Sequence, residues 1–256
     1  MYKDKQIAVV VPAYNEEKFI AQTIESVPSF VDRIYVVDDA STDGTYEIAS
    51  QIASQDGKLN VIHRERRGGV GAAIVSGHKM ACKDEMDVVA IMAGDGQMTP
   101  AILDKVLDPV VEGKADYAKG NRLTLPQHKM AMSAWRRFGN FLLTYLTKLA
   151  SGYWHVSDPQ DGYTAMSRET LQKIALDKLC KGFAFENDML VKLNVAGARV
   201  IDVPHPARYG EERSKIKYPN LIVTTSWLLL KDFLWRLWVK YIKQSFNKTQ
   251  VRARNA

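Results

Sequence analysis

The chain has 256 residues, 46% of them hydrophobic, and a formal net charge of +6, which is enough apolar material for one large domain with a buried core. Its two cysteines, Cys82 and Cys180, stand far apart and outside any metal-ligand spacing, which argues against a disulfide framework or a structural zinc site and fits a reducing, cytoplasmic setting. The basic surplus suits an anionic membrane or a phosphate-rich substrate; no nucleic-acid recognition motif accompanies it, so no nucleic-acid partner is expected.

The first five residues lead straight into a strand-like segment, with no apolar stretch of the signal-peptide kind. Ile7-Ala-Val-Val-Val11 is a continuous apolar run, which predicts a strand buried on both faces. A helix is expected over about 16–26, a strand at 33–37, a helix near 45–54 and a short strand at 60–63. A helix near 70–82 and a strand at 87–92 follow. This alternation predicts an α/β fold with a mostly parallel sheet and right-handed crossovers. In such a sheet ligands bind beyond the carboxyl ends of the strands, where Asn15-Glu16, Asp38-Asp39 and Asp95 fall.

Past Gly120 the pattern is less regular. Helices are expected over 133–150 and 185–196, with a polar turn at Asp158-Pro-Gln-Asp-Gly162 and a strand at 199–203. From Pro219, a good helix starter, to about Lys243 the chain reads as a helix carrying Trp227, Leu230, Leu234, Trp238 and Tyr241 on one stripe. Lys231, Asp232, Arg236 and Lys240 interrupt it, and no run approaches the ~20 apolar residues of a membrane span. An apolar face backed by basic residues suits a helix lying in a membrane interface; the plainer reading is a helix packed on its own domain.

Three local features carry chemistry. Asp95, in Met92-Ala-Gly-Asp-Gly-Gln97, is a candidate ligand for a divalent metal, and its flanking glycines let a phosphate approach the backbone; Gln97 can add an oxygen. Asp38-Asp39 closes a strand and can accept from a base or ribose hydroxyl, although Asp-rich turn chemistry explains it equally well. Gly68-Gly-Val-Gly71 does not complete Gly-x-Gly-x-x-Gly and precedes the third helix rather than the first, so it is not a dinucleotide fingerprint. A glycine-permitted approach of the chain to the donor is expected there instead.

Val11-Pro-Ala-Tyr-Asn-Glu16 and Val36-Val-Asp-Asp-Ala-Ser-Thr-Asp-Gly44 resemble the opening of the inverting family 2 glycosyltransferases of GT-A fold. The resemblance runs on through Arg67-Gly-Gly-Val-Gly-Ala-Ala73, Gly94-Asp-Gly-Gln97, Gly120-Asn-Arg122, Asp158-Pro-Gln-Asp-Gly162 and Phe183-Ala-Phe-Glu-Asn-Asp188 to Arg208-Tyr-Gly-Glu-Glu-Arg-Ser-Lys215. Within that family it is most similar to the dolichol-phosphate mannosyltransferase branch, which glycosylates polyprenyl phosphates.

The resemblance implies that Pro12, Tyr14, Glu16 and Asp39 hold the nucleoside. It implies that Asp95 and Gln97 hold a divalent Mg or Mn ion as the last two members of an Asp-x-Asp-x-Gln pattern whose first carboxylate is here Ala93. Arg122 then lies near the transferring phosphates, Arg136 or Arg137 at the acceptor phosphate, and Arg208, Arg213, Ser214 and Lys215 on a basic loop that closes over the diphosphate. Glu186 or Asp188 is placed for a general base if the acceptor is a hydroxyl; a phosphate acceptor needs none. The Gln-x-x-Arg-Trp motif of processive synthases is absent, which implies single-sugar transfer.

The expectation is therefore a GT-A catalytic domain over 1–217 and a C-terminal amphipathic helix with a basic tail over 218–256. It would transfer one sugar from a nucleotide diphosphate-sugar, GDP-mannose or a UDP-sugar, to a polyprenyl phosphate. The site of action would be the cytoplasmic face of a membrane, with peripheral association or a separate membrane-protein partner. The rivals are transfer to a sugar hydroxyl of a glycolipid or polysaccharide, and a weakened nucleotide-sugar-binding protein, suggested by Ala93.

Overall fold

A computed structural model of the chain describes residues 1–124, 134–206 and 218–243. Seven strands form one sheet: β1 (Ile7–Ala13), β2 (Arg33–Asp38), β3 (Leu59–His63), β4 (Val88–Ile91), β5 (Tyr117–Asn121), β6 (Thr164–Ser167) and β7 (Val200–Pro204), in the order β3-β2-β1-β4-β6-β5-β7. All neighbours pair in parallel except those of β6, which runs antiparallel to both β4 and β5.

The wholly apolar β1 sits mid-sheet, and its alternate residues feed two cores. Ile7, Val9 and Val11 pack with Ile20 and Ile24 of α1 (Ile20–Ser26), Ala49 of α2 (Thr45–Ala53) and Leu103, Val106 and Leu107 of α4 (Leu103–Val111). Ala8 and Val10 face the other way, onto Ala73 and Ile74 of α3 (Val70–Lys83) and Phe185, Met189 and Leu190 of α7 (Phe185–Ala196). Helices thus cover both faces, as a sheet buried on both sides requires.

The first helix opens at Ile20 rather than near 16. The amides of Asn15, Glu16 and Glu17 donate instead to Ser41, Thr45 and Asp43 side chains, which ties the end of β1 to the loop after β2. A short helix, α6 (Arg168–Lys173), follows β6 and is capped by Ser167 Oγ, which accepts from Thr170 N.

The last elements form a helical layer of their own. Helix α5 (Ala134–Ser151) and helix α8 (Tyr218–Leu237), which ends in a π-helical turn over Trp238–Lys243, join α7 through Ala150, Val191 and Leu229, with Leu146 and Phe233 against them. The side of α8 away from its apolar stripe is not a solvated basic face. Asp232 is buried and accepts from Lys192 Nζ at 2.8 Å, and Arg236 Nη2 donates to Leu149 O. Lys231 is instead exposed beside the stripe. The stripe itself faces outward: Trp227 is 71% exposed and Leu234 58%, with Val223, Leu230, Trp238 and Tyr241 alongside. Phe141, Tyr145 and Leu149 of α5 and the nearby Trp154 are exposed as well. No helix among the described residues is long and apolar enough to cross a membrane.

Candidate active site

The carboxyl ends of β1, β2 and β4 gather one group of the residues singled out in the sequence, Tyr14, Asp38, Asp39 and Asp95. Asp38 is wholly buried, with Oδ2 2.8 Å from His63 Nδ1 at the end of β3, and so braces two strand ends. Asp39 accepts from Gly68 N at 2.9 Å and Gly69 N at 2.7 Å and pairs with Arg64 Nε at 3.0 Å. The neighbouring residues Asn15 and Ala40 take positive φ, 55° and 59°. Asn tolerates that conformation and Ala does not, so backbone strain sits beside Asp39. Across from it, the Arg67 guanidinium stacks 3.8 Å from the Tyr14 ring centre.

Gly69 and Gly71 permit a close approach within the chain. A Cβ on Gly71 would stand 2.3 Å from Cys180 O, and one on Gly69 2.6 Å from Lys181 O. The glycines let the start of α3 press onto the 180–182 segment, beside the Gly68 and Gly69 amides that donate to Asp39.

Asp95 follows β4 and is half-exposed. Its Oδ1 accepts from Gln97 N at 2.9 Å, and Oδ2 accepts nothing among the described residues. Gly94 N is anchored on Pro12 O, and Gly96 takes φ 68° to turn the chain. Among the described residues no group of three or more His, Cys, Asp or Glu side chains is placed to hold a metal. A single carboxylate with one open oxygen fits a hard cation of the Mg or Mn type, whose remaining ligands are phosphate and water oxygens.

A second cluster is built at the ends of β5 and β7 and the start of β6, where the antiparallel direction brings the Asp158–Gly162 turn to the same sheet edge. Arg122 binds Asp158 in a fork, Nε to Oδ2 at 2.9 Å and Nη2 to Oδ1 at 3.2 Å, and pairs through Nε with Asp161 Oδ2 at 3.2 Å. Asp161 Oδ2 is also 2.6 Å from His205 Nε2. Burial alone would raise the Asp161 pKa, but the bond from His205 and the charges of Arg122 and Lys119 bring it below the usual carboxylate range. Lys119 has no exposed surface; its ammonium donates to Asp161 O and to Glu186 Oε2. The Met98 side chain packs on Gly162, and Tyr163 OH donates to Thr99 O at 3.2 Å, so the chain just after the Asp95 turn meets the end of the Asp158–Gly162 turn.

Glu186 and Asp188 are both buried in the framework at the start of α7. Glu186 Oε2 accepts from Tyr117 OH at 3.0 Å as well as from Lys119, while its Oε1 has no hydrogen-bond partner among the described residues. Asp188 Oδ2 accepts from Cys180 N at 2.7 Å, and its Oδ1 lies 2.7 Å from Lys192 Nζ. Each thus has at least one oxygen engaged by groups of the framework.

Arg136 and Arg137 lie in the first turn of α5, with their side chains outside the described residues, as are Arg208, Arg213, Ser214 and Lys215. Pro12 and Glu16 stand at the end of β1, where Pro12 O receives Gly94 N and Glu16 N donates to Thr45 Oγ1. Three members of the second cluster, Tyr117, Lys119 and His205, carry no sequence signal of function. The nearest to one is the Pro204-His205-Pro206 run, which fixes the backbone on either side of the ring.

Residues 8–175 match the family model described as glycosyl transferase family 2. A UDP-N-acetylglucosamine–dolichyl-phosphate N-acetylglucosaminyltransferase of Methanococcus voltae is 29% identical over 221 residues, covering 81% of this chain and 88% of that protein. A polyprenol monophosphomannose synthase of Mycolicibacterium smegmatis is 32% identical over 213 residues, covering 77% of this chain and 75% of the relative. In three dimensions the chain is similar to glucosyl-3-phosphoglycerate synthase from Mycobacterium tuberculosis, solved with Mn2+, UDP and phosphoglyceric acid, at a TM-score of 0.66 and 22% identity over 91% of this chain and 78% of the other.

Proposed function

The chain belongs to glycosyl transferase family 2 and is a glycosyltransferase; from that premise we propose that it transfers a single sugar, with inversion, from a nucleotide diphosphate-sugar to a polyprenyl phosphate at a membrane surface. The observation that carries this reading is the contact made where Met98 packs on Gly162. It ties the turn that carries the half-exposed Asp95 to the turn whose buried Asp158 and Asp161 fix the Arg122 guanidinium, groups of the kind that two phosphate-bearing substrates require.

In this assignment Pro12, Tyr14, Glu16 and Asp39 hold the nucleoside, and Asp95 and Gln97 hold Mg or Mn. An ion held there would supply positive charge toward the departing diphosphate. Arg122 orients phosphate, supported by Arg136 and Arg137 and by the Arg208, Arg213, Ser214 and Lys215 segment. The missing carboxylate at Ala93 leaves one charged protein ligand, and the diphosphate supplies the rest of the charge. The burial of Glu186 and Asp188, each with at least one oxygen engaged by the framework, supports a phosphate acceptor, which is already anionic, over a sugar hydroxyl, which needs a base. The names of relatives that act on dolichyl, polyprenol and undecaprenyl phosphates point the same way. The outward stripe of Trp227, Leu230, Leu234 and Trp238, with Phe141 and Tyr145 near it, supports peripheral seating on the cytoplasmic face, where it presents the cleft to a lipid headgroup. A membrane-protein partner seated on the same face would serve the same end.

Transfer from GDP-mannose, UDP-glucose and UDP-N-acetylglucosamine to undecaprenyl phosphate in detergent micelles with Mn2+ tests the reading. One donor should give a polyprenyl-phosphate sugar, and Asp95→Asn should reduce turnover by ~100-fold or more, the scale of losing a major transition-state charge contact. Products formed only on sugar hydroxyls would overturn the acceptor assignment.

A further inference from the structure

We infer that His205 is a positioning residue: its ring, protonated on both nitrogens, holds Asp161, and through Asp161 it fixes the Arg122 guanidinium. The inference rests on the reading of Arg122 as a phosphate-orienting group. His205 stands just past β7 and is almost wholly buried. Its Nε2 is 2.6 Å from Asp161 Oδ2 and its Nδ1 is 3.0 Å from Pro206 O. Both partners are acceptors. A neutral imidazole has one N–H and would set the lone pair of its other nitrogen against an oxygen; the imidazolium satisfies both.

Charge balance agrees. Arg122 from β5's end and Lys119 within β5 face Asp161, Asp158 beyond Arg122, and Glu186 on α7. Among the described residues, with His205 charged three cations meet Asp158, Asp161 and Glu186, with Asp202 of β7 also facing Lys119. With His205 neutral, this largely buried cluster carries one more unmatched negative charge, which is costly. The Tyr163 ring packs edge-on at 5.9 Å and adds no charge at neutral pH. Gly120 leaves room for the arrangement, since a Cβ there would stand 2.7 Å from His205 Nε2 and 2.9 Å from Asp161 Oδ2.

Burial pulls the His205 pKa down, but the bond and charge of Asp161 outweigh it, so the ring holds its proton above the ordinary histidine value. Rising pH through that value releases the proton, and Arg122 keeps Asp158 but loses a firmly held Asp161. Turnover then falls while nucleotide binding, centred on the ends of β1, β2 and β4, stays.

The test is nitrogen-15 NMR of the His205 ring and of Arg122 Nε in the whole chain across pH 5–9, with His205→Gln beside it. Both ring nitrogens should be protonated at pH 7, and the Arg122 Nε signal should shift with the same midpoint and lose that dependence in His205→Gln. If that variant does not fold, Asp161→Asn replaces it, and the ring should then carry a single proton at pH 7. In the transfer assay His205→Gln should lower kcat by roughly tenfold to a hundredfold, as loss of one charge-assisted bond does, leave the donor KM near its wild-type value and remove the alkaline fall. A singly protonated ring at pH 7, or an Arg122 signal blind to the variant, overturns the inference. A wild-type chain that transfers no sugar overturns the proposed function instead, and the NMR result still decides the role of His205.

Discussion

The two sides of the cleft hold their carboxylates by different means. On the donor side Asp39 is met by two backbone amides and one arginine, and Asp95 by one amide. On the acceptor side Asp158, Asp161 and Glu186 are met by Arg122, Lys119 and His205. The first side also uses His63 and Arg64, and the second also takes amides from Arg122 and Tyr163, so the contrast is one of degree. Backbone amides are placed by the fold and carry no titratable charge, and the first side leans more on them, on glycine geometry and on close packing. Side-chain cations depend on one another's charge, so the acceptor side rises or fails as a set.

The sharpest way to break this contrast is Lys119→Met. It leaves Glu186 buried with only Tyr117 as partner, and the loss should be about 3–5 kcal/mol in urea-induced unfolding. Adding Glu186→Gln should return much of it; no recovery would mean that Lys119 acts chiefly through Asp161 O. Next in size is Gly71→Ala on the donor side, where the new methyl meets Cys180 O at 2.3 Å and Phe185 Cδ2 at 2.8 Å. About 1–3 kcal/mol is expected, against ~0.5 kcal/mol or less for Gly57→Ala, which meets nothing within 4 Å. Similar losses at both glycines would show that close packing does not hold the Asp39 amides. The smallest effect on stability belongs to Trp227→Asp, within ~0.5 kcal/mol because the ring is exposed. The same change should abolish flotation with anionic vesicles, and unchanged flotation would remove the stripe from the membrane reading.

The donor side was the more legible of the two for the same physical reason. Its strands are runs of buried apolar residues, and its carboxylates fall directly after them, so periodicity alone placed Asp39 and Asp95. Helix α7 was bounded correctly, at 185 and 196, because Gly197 ends it in the left-handed conformation. Strand β5 did not stand out, since Tyr-Ala-Lys-Gly-Asn contains a lysine that only its pairing with Glu186 allows to be buried. Strand β6 has four residues, too few to show a period. His205 was invisible because its partner, Asp161, lies 44 positions away in sequence and meets it only through strand pairing. The sequence shows the apolar stripe on α8 and leaves open whether the helix lies in an interface or packs on its own domain; it does not reveal that Lys192 reaches Asp232 from another helix.

The reversed direction of β6 has a consequence for how such a molecule diversifies. Strands β1 to β4 carry one set of the candidate site's side chains, and the segment from Tyr117 to His205 carries the other on a separate stretch of chain. The two stretches meet along the β4–β6 ladder, where α3 presses on 180–182, and at Met98 and Gly162. A lineage can therefore alter the two sets by changes in different stretches of its sequence, with those seams as the places where both inheritances must remain compatible.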